Sequence, residues 1–118
     1  MGRLPVDDEH APLYTVGQVA AMLELRQAFL RRLDEHEVVR PGRTSGGQRR
    51  YSRVEIMLVR HVAGLVEEGM TLAGVRRVLE LERRVGELEE RHVRDRRRIG
   101  ALQDRVAELE AAFLDRRT

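Results

Sequence analysis

At 118 residues, with 3% aromatic content and no tryptophan, the chain allows one small domain with an appendage, and so small a core implies pairing with a second copy. The absence of cysteine excludes disulfides, thiolate metal sites and redox switches, which fits a reducing cytosol; no apolar run reaches the ~18 residues of a membrane span, and no signal peptide is visible. The net charge of +2 conceals a division: residues 1–25 carry one arginine against four acids, residues 26–60 nine against four, and residues 61–118 twelve of each.

Residues 1–12 are polar and acidic, with Pro5 and Pro12, and are expected to form a mobile tail. Thr15 and Gln18 have the spacing of a capping box, which starts a helix near Val16. Val16, Val19, Ala20 and Leu23 follow the i, i+3, i+4, i+7 spacing of one buried face. Glu24 and Leu25 turn the chain into a second helix over residues 26–36, with Phe29, Leu30 and Leu33 inward and Arg26, Gln27, Arg31 and Arg32 outward. Two short helices joined by a tight turn read as a helix-turn-helix, the second being the reader, although periodicity alone fits any small three-helix domain equally well. A reader helix presents its first turn to the major groove, so Arg26 and Gln27 are the candidate base contacts. Gln suits adenine and Arg guanine, each with ~1–3 kcal/mol of discrimination when bidentate. Thr15, at a helix N-terminus, suits a phosphate.

Val38 and Val39 lead into a basic hairpin that Tyr51 leaves. Pro41 and Gly42 open it, and Gly46 and Gly47 supply positive-φ positions at its tip. Arg43, Arg49 and Arg50 flank the tip, where they can hold phosphates beside the reader. The loop lacks the Gly-Lys-Ser/Thr ending of a nucleotide-phosphate loop. Every basic residue is arginine, with no lysine and no asparagine, a bias that suggests a GC-rich genome; the placement of the arginines therefore weighs more than their abundance. Ser52 and Glu55 form a second capping box, opening a helix to about Glu68. Its stripe, Ile56, Val59, Ala63 and Val66 flanked by Leu58, Val62 and Leu65, is wide enough to be largely buried and makes it the backbone of the head. Gly69 ends it, and Thr71 caps a shorter helix carrying Leu72, Val75, Val78 and Leu79.

From Leu81 the pattern changes to 4-3 spacing: Leu81, Val85, Leu88, His92, Asp95, Ile99, Leu102, Val106, Leu109 and Phe113. The apolar members predict a dimerising coiled coil, with His92 and Asp95 as a register-setting polar layer rather than a pH-sensitive notch. Gly86 and Gly100 each weaken the helix by about 1 kcal/mol relative to Ala, and no proline interrupts it. Pairing centred near Arg97 would bring Arg96, Arg97 and Arg98 of both chains together. Pairing centred closer to Val106 would use the cleaner seam from Ile99 to Phe113, and the register stays open. His10, His36, His61 and His92 have no metal-ligand spacing, and no paired carboxylates or Ser/His/Asp set suggests catalysis. The arginines at 91, 94 and 96–98 read as a solvated helix face.

The ordered runs YTVGQVAAML, LRRLDEHEVVRP, GGQRRYS and GMTLAGVRRVLEL carry a resemblance that spans roughly residues 13–85. The chain resembles the MerR family of bacterial transcription regulators; RTSGGQRRYS and MTLAGVRRVLELE are most similar to its HspR branch of heat-shock repressors. The resemblance implies a mostly α fold: a winged helix-turn-helix head over residues 13–80 with a small β-hairpin wing, then a long dimerising coiled-coil helix over 81–118, with no effector domain. It also implies an antiparallel homodimer with two reading heads on one two-fold axis. By carry-over, Arg31 of the Leu30-Arg31 pair contacts the DNA backbone, and Arg43, Arg49, Arg50 and Tyr51 match a wing that grips phosphates. Arg32 stands where relatives often carry an aromatic or Gln. Glu37 stands where relatives usually end the reader helix with Gly, and its charge weakens the case for close DNA contact there. No cofactor or metal is expected, and the drug- and metal-sensing of other branches is not carried over.

The function expected is that of a cytoplasmic, nucleoid-associated homodimer binding an inverted-repeat operator in double-stranded DNA. The HspR-like features imply repression, with a chaperone co-repressor or RNA polymerase as further partners. The alternative is an interaction module whose coiled coil sequesters a partner such as a sigma factor or chaperone, its head having lost DNA binding. Glu37, the near-zero net charge and the arginine-rich flank of the seam motivate it.

Overall fold

The computed structural model describes residues 7–117. Four helices and one hairpin follow in the order α1 (Val16–Leu23), α2 (Gln27–Glu35), β1 (Gly42–Arg43), β2 (Arg49–Arg50), α3 (Arg53–Glu67) and α4 (Leu72–Arg117). Thr15 opens α1 with the predicted capping box: its hydroxyl accepts from Gln18 N–H at 3.1 Å while the Gln18 side chain accepts from Thr15 N–H at 2.8 Å. Ser52 and Glu55 repeat the arrangement at α3, at 3.1 and 2.8 Å.

All three head helices close in the same way. At α3, Met70 N–H donates to the Leu65 carbonyl and Gly69 N–H to that of Val66, with Gly69 at φ 100°. This is the Schellman motif, in which a left-handed residue lets the chain turn back over the orphan carbonyls. At α1 the left-handed residue is Glu24, φ 55°, and at α2 it is Glu37, φ 58°. Val38 N–H then reaches the Leu33 carbonyl at 2.8 Å and Glu37 N–H that of Asp34 at 3.1 Å. The reader helix therefore ends with the left-handed turn for which the resemblance implies glycine, although a glutamate occupies the position.

The core lies within the first of two compact units, which ends at Val78. Val19, Leu30, Leu33, Val59, Val62 and Val75 are its fully buried side chains. On α3, Ile56, Val59 and Val62 are buried, whereas Leu58, Ala63, Leu65 and Val66 are only half-buried, so the wide stripe is covered along its middle. Val38 and Val39, read as the entrance to the wing, are also core residues.

The hairpin pairs Gly42 with Arg50 and Arg43 with Arg49. At its tip Thr44 N–H donates to the Gln48 carbonyl and Gly47 N–H to that of Thr44, both at 2.8 Å. Gly47 takes φ 80°, but Gly46 does not share the positive φ expected of the pair. Beyond the wing, Tyr51 bridges antiparallel to Tyr14, so the hairpin is rooted on the segment that caps α1.

Two expectations change. Residues 7–12, read as part of a mobile tail, are hydrogen-bonded: Ala11 N–H donates to the Asp8 carbonyl, and Glu9 accepts from Val54 N–H, both at 3.1 Å, the latter satisfying a first-turn donor of α3. The expectation for residues 1–6, like the end of the coiled coil at residue 118, falls outside the described residues. The shorter helix after Thr71 and the coiled-coil helix are one element, α4. Thr71 caps it through Gly74 N–H at 3.1 Å, and Glu80, Leu81 and Glu82 at the expected boundary are all good helix formers. The change of apolar spacing marks a change of neighbours, not a break in backbone.

From Leu79 onward α4 belongs to the second unit. It buries none of the seam: Leu81, Val85, Leu88, Ile99, Leu102, Val106, Leu109 and Phe113 are all exposed, from 43% at Leu81 to 61% at Phe113. No described helix is long and apolar enough to cross a membrane.

Candidate nucleic-acid interface

On α2, Leu30 and Leu33 face the core, which leaves Arg26, Gln27, Arg31 and Arg32 exposed. Arg26 is the N-cap and makes no side-chain cap, so its guanidinium is not committed to the helix end. Gln27 and Arg31, one turn apart, share a stripe and a contact: Arg31 Nη2 donates to Gln27 Oε1 at 3.4 Å. Gln27 Nε2 lies over Gly17 of α1, 3.3 Å from where a Cβ there would stand. The absence of a side chain at Gly17 thus lets the two helix starts approach and seats the reading amide. Arg32 points elsewhere. With Phe29 and His36 it lines a groove completed by Val66, Met70 and Leu72.

The wing arginines differ in their freedom. Arg43 is exposed and donates to the Gly47 carbonyl at 3.0 Å, bracing the tip. Arg50 is half-buried and donates to Gln48 Oε1 at 2.9 Å and to the Arg49 carbonyl at 3.1 Å. Arg49 is bound to Asp34 of α2 through Nη1 and Oδ2. Arg40 Nε also reaches Asp34, at 3.5 Å, and its Nη1 reaches Glu37 at 3.3 Å. Glu37 in turn lies 3.8 Å from Arg76 of α4. The Arg49–Asp34 pair ties the wing to the end of the reader helix, while the others join that end to the segment before the hairpin and to α4.

Thr15 is half-buried, its oxygen accepting from Gln18 and its hydroxyl proton available to a phosphate. Tyr51 is the correction. Grouped with the phosphate-gripping residues by resemblance, it is 3% exposed and serves as a core residue at the root of the wing, with little surface to offer DNA. Burial, with the carboxylates of Asp34 and Glu55, pushes its phenol up to about 12, partly opposed by Arg49. Asp34, Arg40 and Gly17 were not singled out from the sequence. An acid three residues after Arg31 was the available signal for Asp34, but its partner lies fifteen residues away. Glu35, exposed on the stripe of Gln27 and Arg31, adds a negative charge to the reading face. Among the described residues no cluster suited to a metal ion occurs.

The helix-turn-helix, the arginine wing and the start of the final helix find their match in sequence: residues 14–82 fit the profile of the MerR HTH family regulatory protein. The chain belongs to the MerR family. It is 42% identical over 84 residues to a heat shock protein HspR of Streptomyces coelicolor, covering 70% of this chain and 56% of that protein. It is 32% identical over 73 residues to the HTH-type transcriptional regulator GlnR of Bacillus anthracis, covering 62% and 57%. The chain thus spans little more than half the length of these relatives. Among solved structures it resembles HiNmlR, a MerR family regulator lacking the sensor domain, bound to promoter DNA, with TM-score 0.53 and 22% identity over 85% of this chain and 86% of that one. A MerR family transcriptional regulator from Bacillus cereus gives 0.52 and 16% over 80% and 78%. At these identities the likeness is one of fold. GlnR and HiNmlR are named as regulators, which does not favour the partner-sequestering alternative.

Proposed function

We propose that this MerR-family chain is a sequence-specific DNA-binding transcription regulator that acts as a homodimer on an inverted repeat. The observation that carries the reading is the exposed row of Arg26, Gln27 and Arg31 on α2, to which Arg49 ties the arginine-bearing wing through Asp34. Gln27 and Arg26 supply hydrogen bonds to base edges; Arg31, Arg43, Arg50 and Thr15 supply phosphate contacts that fix register. Arg32 has a groove-side position and the weaker claim. The exposed seam of α4 supports pairing with a second copy, which would present two heads to two half-sites. The likeness to HspR supports repression, in the cytoplasm and on the nucleoid, with a chaperone co-repressor or RNA polymerase as further partners.

The test is binding of the purified protein to genomic fragments, its own promoter among them, at physiological salt with competitor DNA. Selective binding lost on Arg31→Ala and Arg50→Ala is the expected result. Binding indifferent to sequence and steeply salt-dependent would instead mark nonspecific phosphate attraction. Reporter assays on the selected promoter separate repression from activation.

A further inference from the structure

The exposed stripe of α4 runs at 4-3 spacing from Leu81 to Phe113, with His92 and Asp95 in place of apolar residues at its middle. We propose that a second copy covers this stripe antiparallel, in the register that sets His92 against Asp95 of the partner subunit and Asp95 against the partner subunit's His92. The inference rests on the dimer of the proposed function and specifies its pairing.

Each layer of a two-stranded seam joins one residue from each helix. Centred on Arg97, antiparallel pairing sets His92 on Leu102 of the partner subunit and Asp95 on the partner's Ile99. Both polar groups are then buried against apolar side chains, which costs free energy with nothing to offset it. Sliding by one heptad moves the centre to between Val93 and Arg94. Leu88 then faces the partner's Ile99, Val85 faces the partner's Leu102, Leu81 faces the partner's Val106, and the two polar residues face each other. The flank improves as well: Glu89 comes opposite the partner's Arg96, where the Arg97-centred register sets Arg96 opposite the partner's Arg96. On the other flank arginine meets arginine in both registers, so that side chooses neither. Leu109 and Phe113 lie beyond the partner's Leu81, opposite the stretch of α4 that precedes it. Pairing centred on Val106 would leave Leu81, Val85 and Leu88 uncovered.

Direction follows from the same two residues. A parallel, in-register pair would gain exposed contacts of Arg84 with the partner's Glu89 and of Arg105 with the partner's Glu110. It would also stack Asp95 on the partner's Asp95. Exposed ion pairs contribute little, whereas two carboxylates facing each other in an apolar seam repel at close range.

The native chain has no cysteine, so cysteine substitutions in the full-length protein report the register without background. Disulfides form only between closely apposed positions. Leu88→Cys and Ile99→Cys proteins, mixed and oxidised, are expected to cross-link with each other and not with themselves. The double variant His92→Leu, Asp95→Leu is expected to stay dimeric but lose this exclusivity, so that Leu88→Cys also links to Val106→Cys. Exclusive linking of Leu88→Cys to Val106→Cys in the otherwise native chain, or self-linking of each variant, overturns the register while leaving the dimer intact. An unchanged single register in the leucine double variant overturns the role of the polar pair. Sedimentation as a monomer at DNA-binding concentrations overturns the dimer itself, and this proposal with it.

Discussion

The carboxylate of Asp34, in the last turn of the reader helix, holds Arg49 of the wing. The Asp34 side chain is 16% exposed and that of Arg49 48%, so the carboxylate is sheltered between two elements while the guanidinium still meets solvent. Arg49 was grouped with the phosphate-binding residues, but its charge is already partnered. An indirect effect on DNA binding is therefore expected of it, through where it holds the wing relative to α2.

The consequence is measurable through salt. Arg49→Ala and Asp34→Ala should each cost about 1 kcal/mol of stability and weaken operator binding, with no further loss in the double variant. Arg50→Ala should shorten the slope of log K against log salt by about 0.9, one phosphate contact, whereas Arg49→Ala should leave the slope unchanged. A slope shortened by Arg49→Ala would show that this arginine leaves Asp34 for a phosphate.

Gly17 offers a way to separate stability from reading. It lies within α1 at ordinary helical angles, so Gly17→Ala should stabilise the helix by up to ~1 kcal/mol. The new Cβ would stand 3.3 Å from Gln27 Nε2, which must shift by a few tenths of an ångström. A higher melting temperature together with reduced preference for the operator is expected. Unchanged discrimination would mean that the position of Gln27 does not set base choice.

Glu24 and Glu37 occupy left-handed positions that cost an L-residue about 1 kcal/mol and glycine nothing. Glu24→Gly should therefore raise stability by about 0.5–1 kcal/mol, and the melting temperature by a few degrees. Glu37→Gly should gain less, because it also removes contacts to Arg40 at 3.3 Å and Arg76 at 3.8 Å. Denaturant unfolding of the two variants side by side checks the order.

Tyr51 predicts an alkaline limit. Its folded-state value near 12 lies above the unfolded value of 10.0, so the folded state favours the neutral phenol. That contribution is complete below pH 10 and is lost as pH rises from 10 towards 12. In a titration followed by tyrosinate absorbance, a component titrating well above pH 10 is expected, and Tyr51→Phe should remove it. Persistence of that component in the variant would assign it to another group and refute the burial argument.

What the sequence disclosed was governed by distance along the chain. Both capping boxes involve residues three apart, and the Thr15–Gln18 and Ser52–Glu55 pairs were legible as spacing alone. The stop at Gly69 was equally local. The same stop at Glu37 was marked only by the resemblance, because a glutamate itself gives no sign of a left-handed backbone. Tyr51, read as the exit of the hairpin, was grouped by resemblance with Arg49 and Arg50 as a phosphate contact, and its bridge to Tyr14, across most of the head, goes with its burial. The Asp34–Arg49 pair likewise needed the hairpin to fold back before it existed. The unity of α4 escaped for another reason: apolar periodicity records what a helix packs against, not whether its backbone continues.

The bare seam of α4 makes the amount of protein a variable of the system. If the proposed dimer covers a stripe that the described residues of its own chain leave exposed, cover comes by mass action, so the DNA-competent species should rise faster than linearly with protein concentration at low abundance. A repressor of its own promoter built in this way would switch over a narrower range of cellular dose than a monomer. The newly made chain, its seam still wet, would also be the form most open to proteolysis.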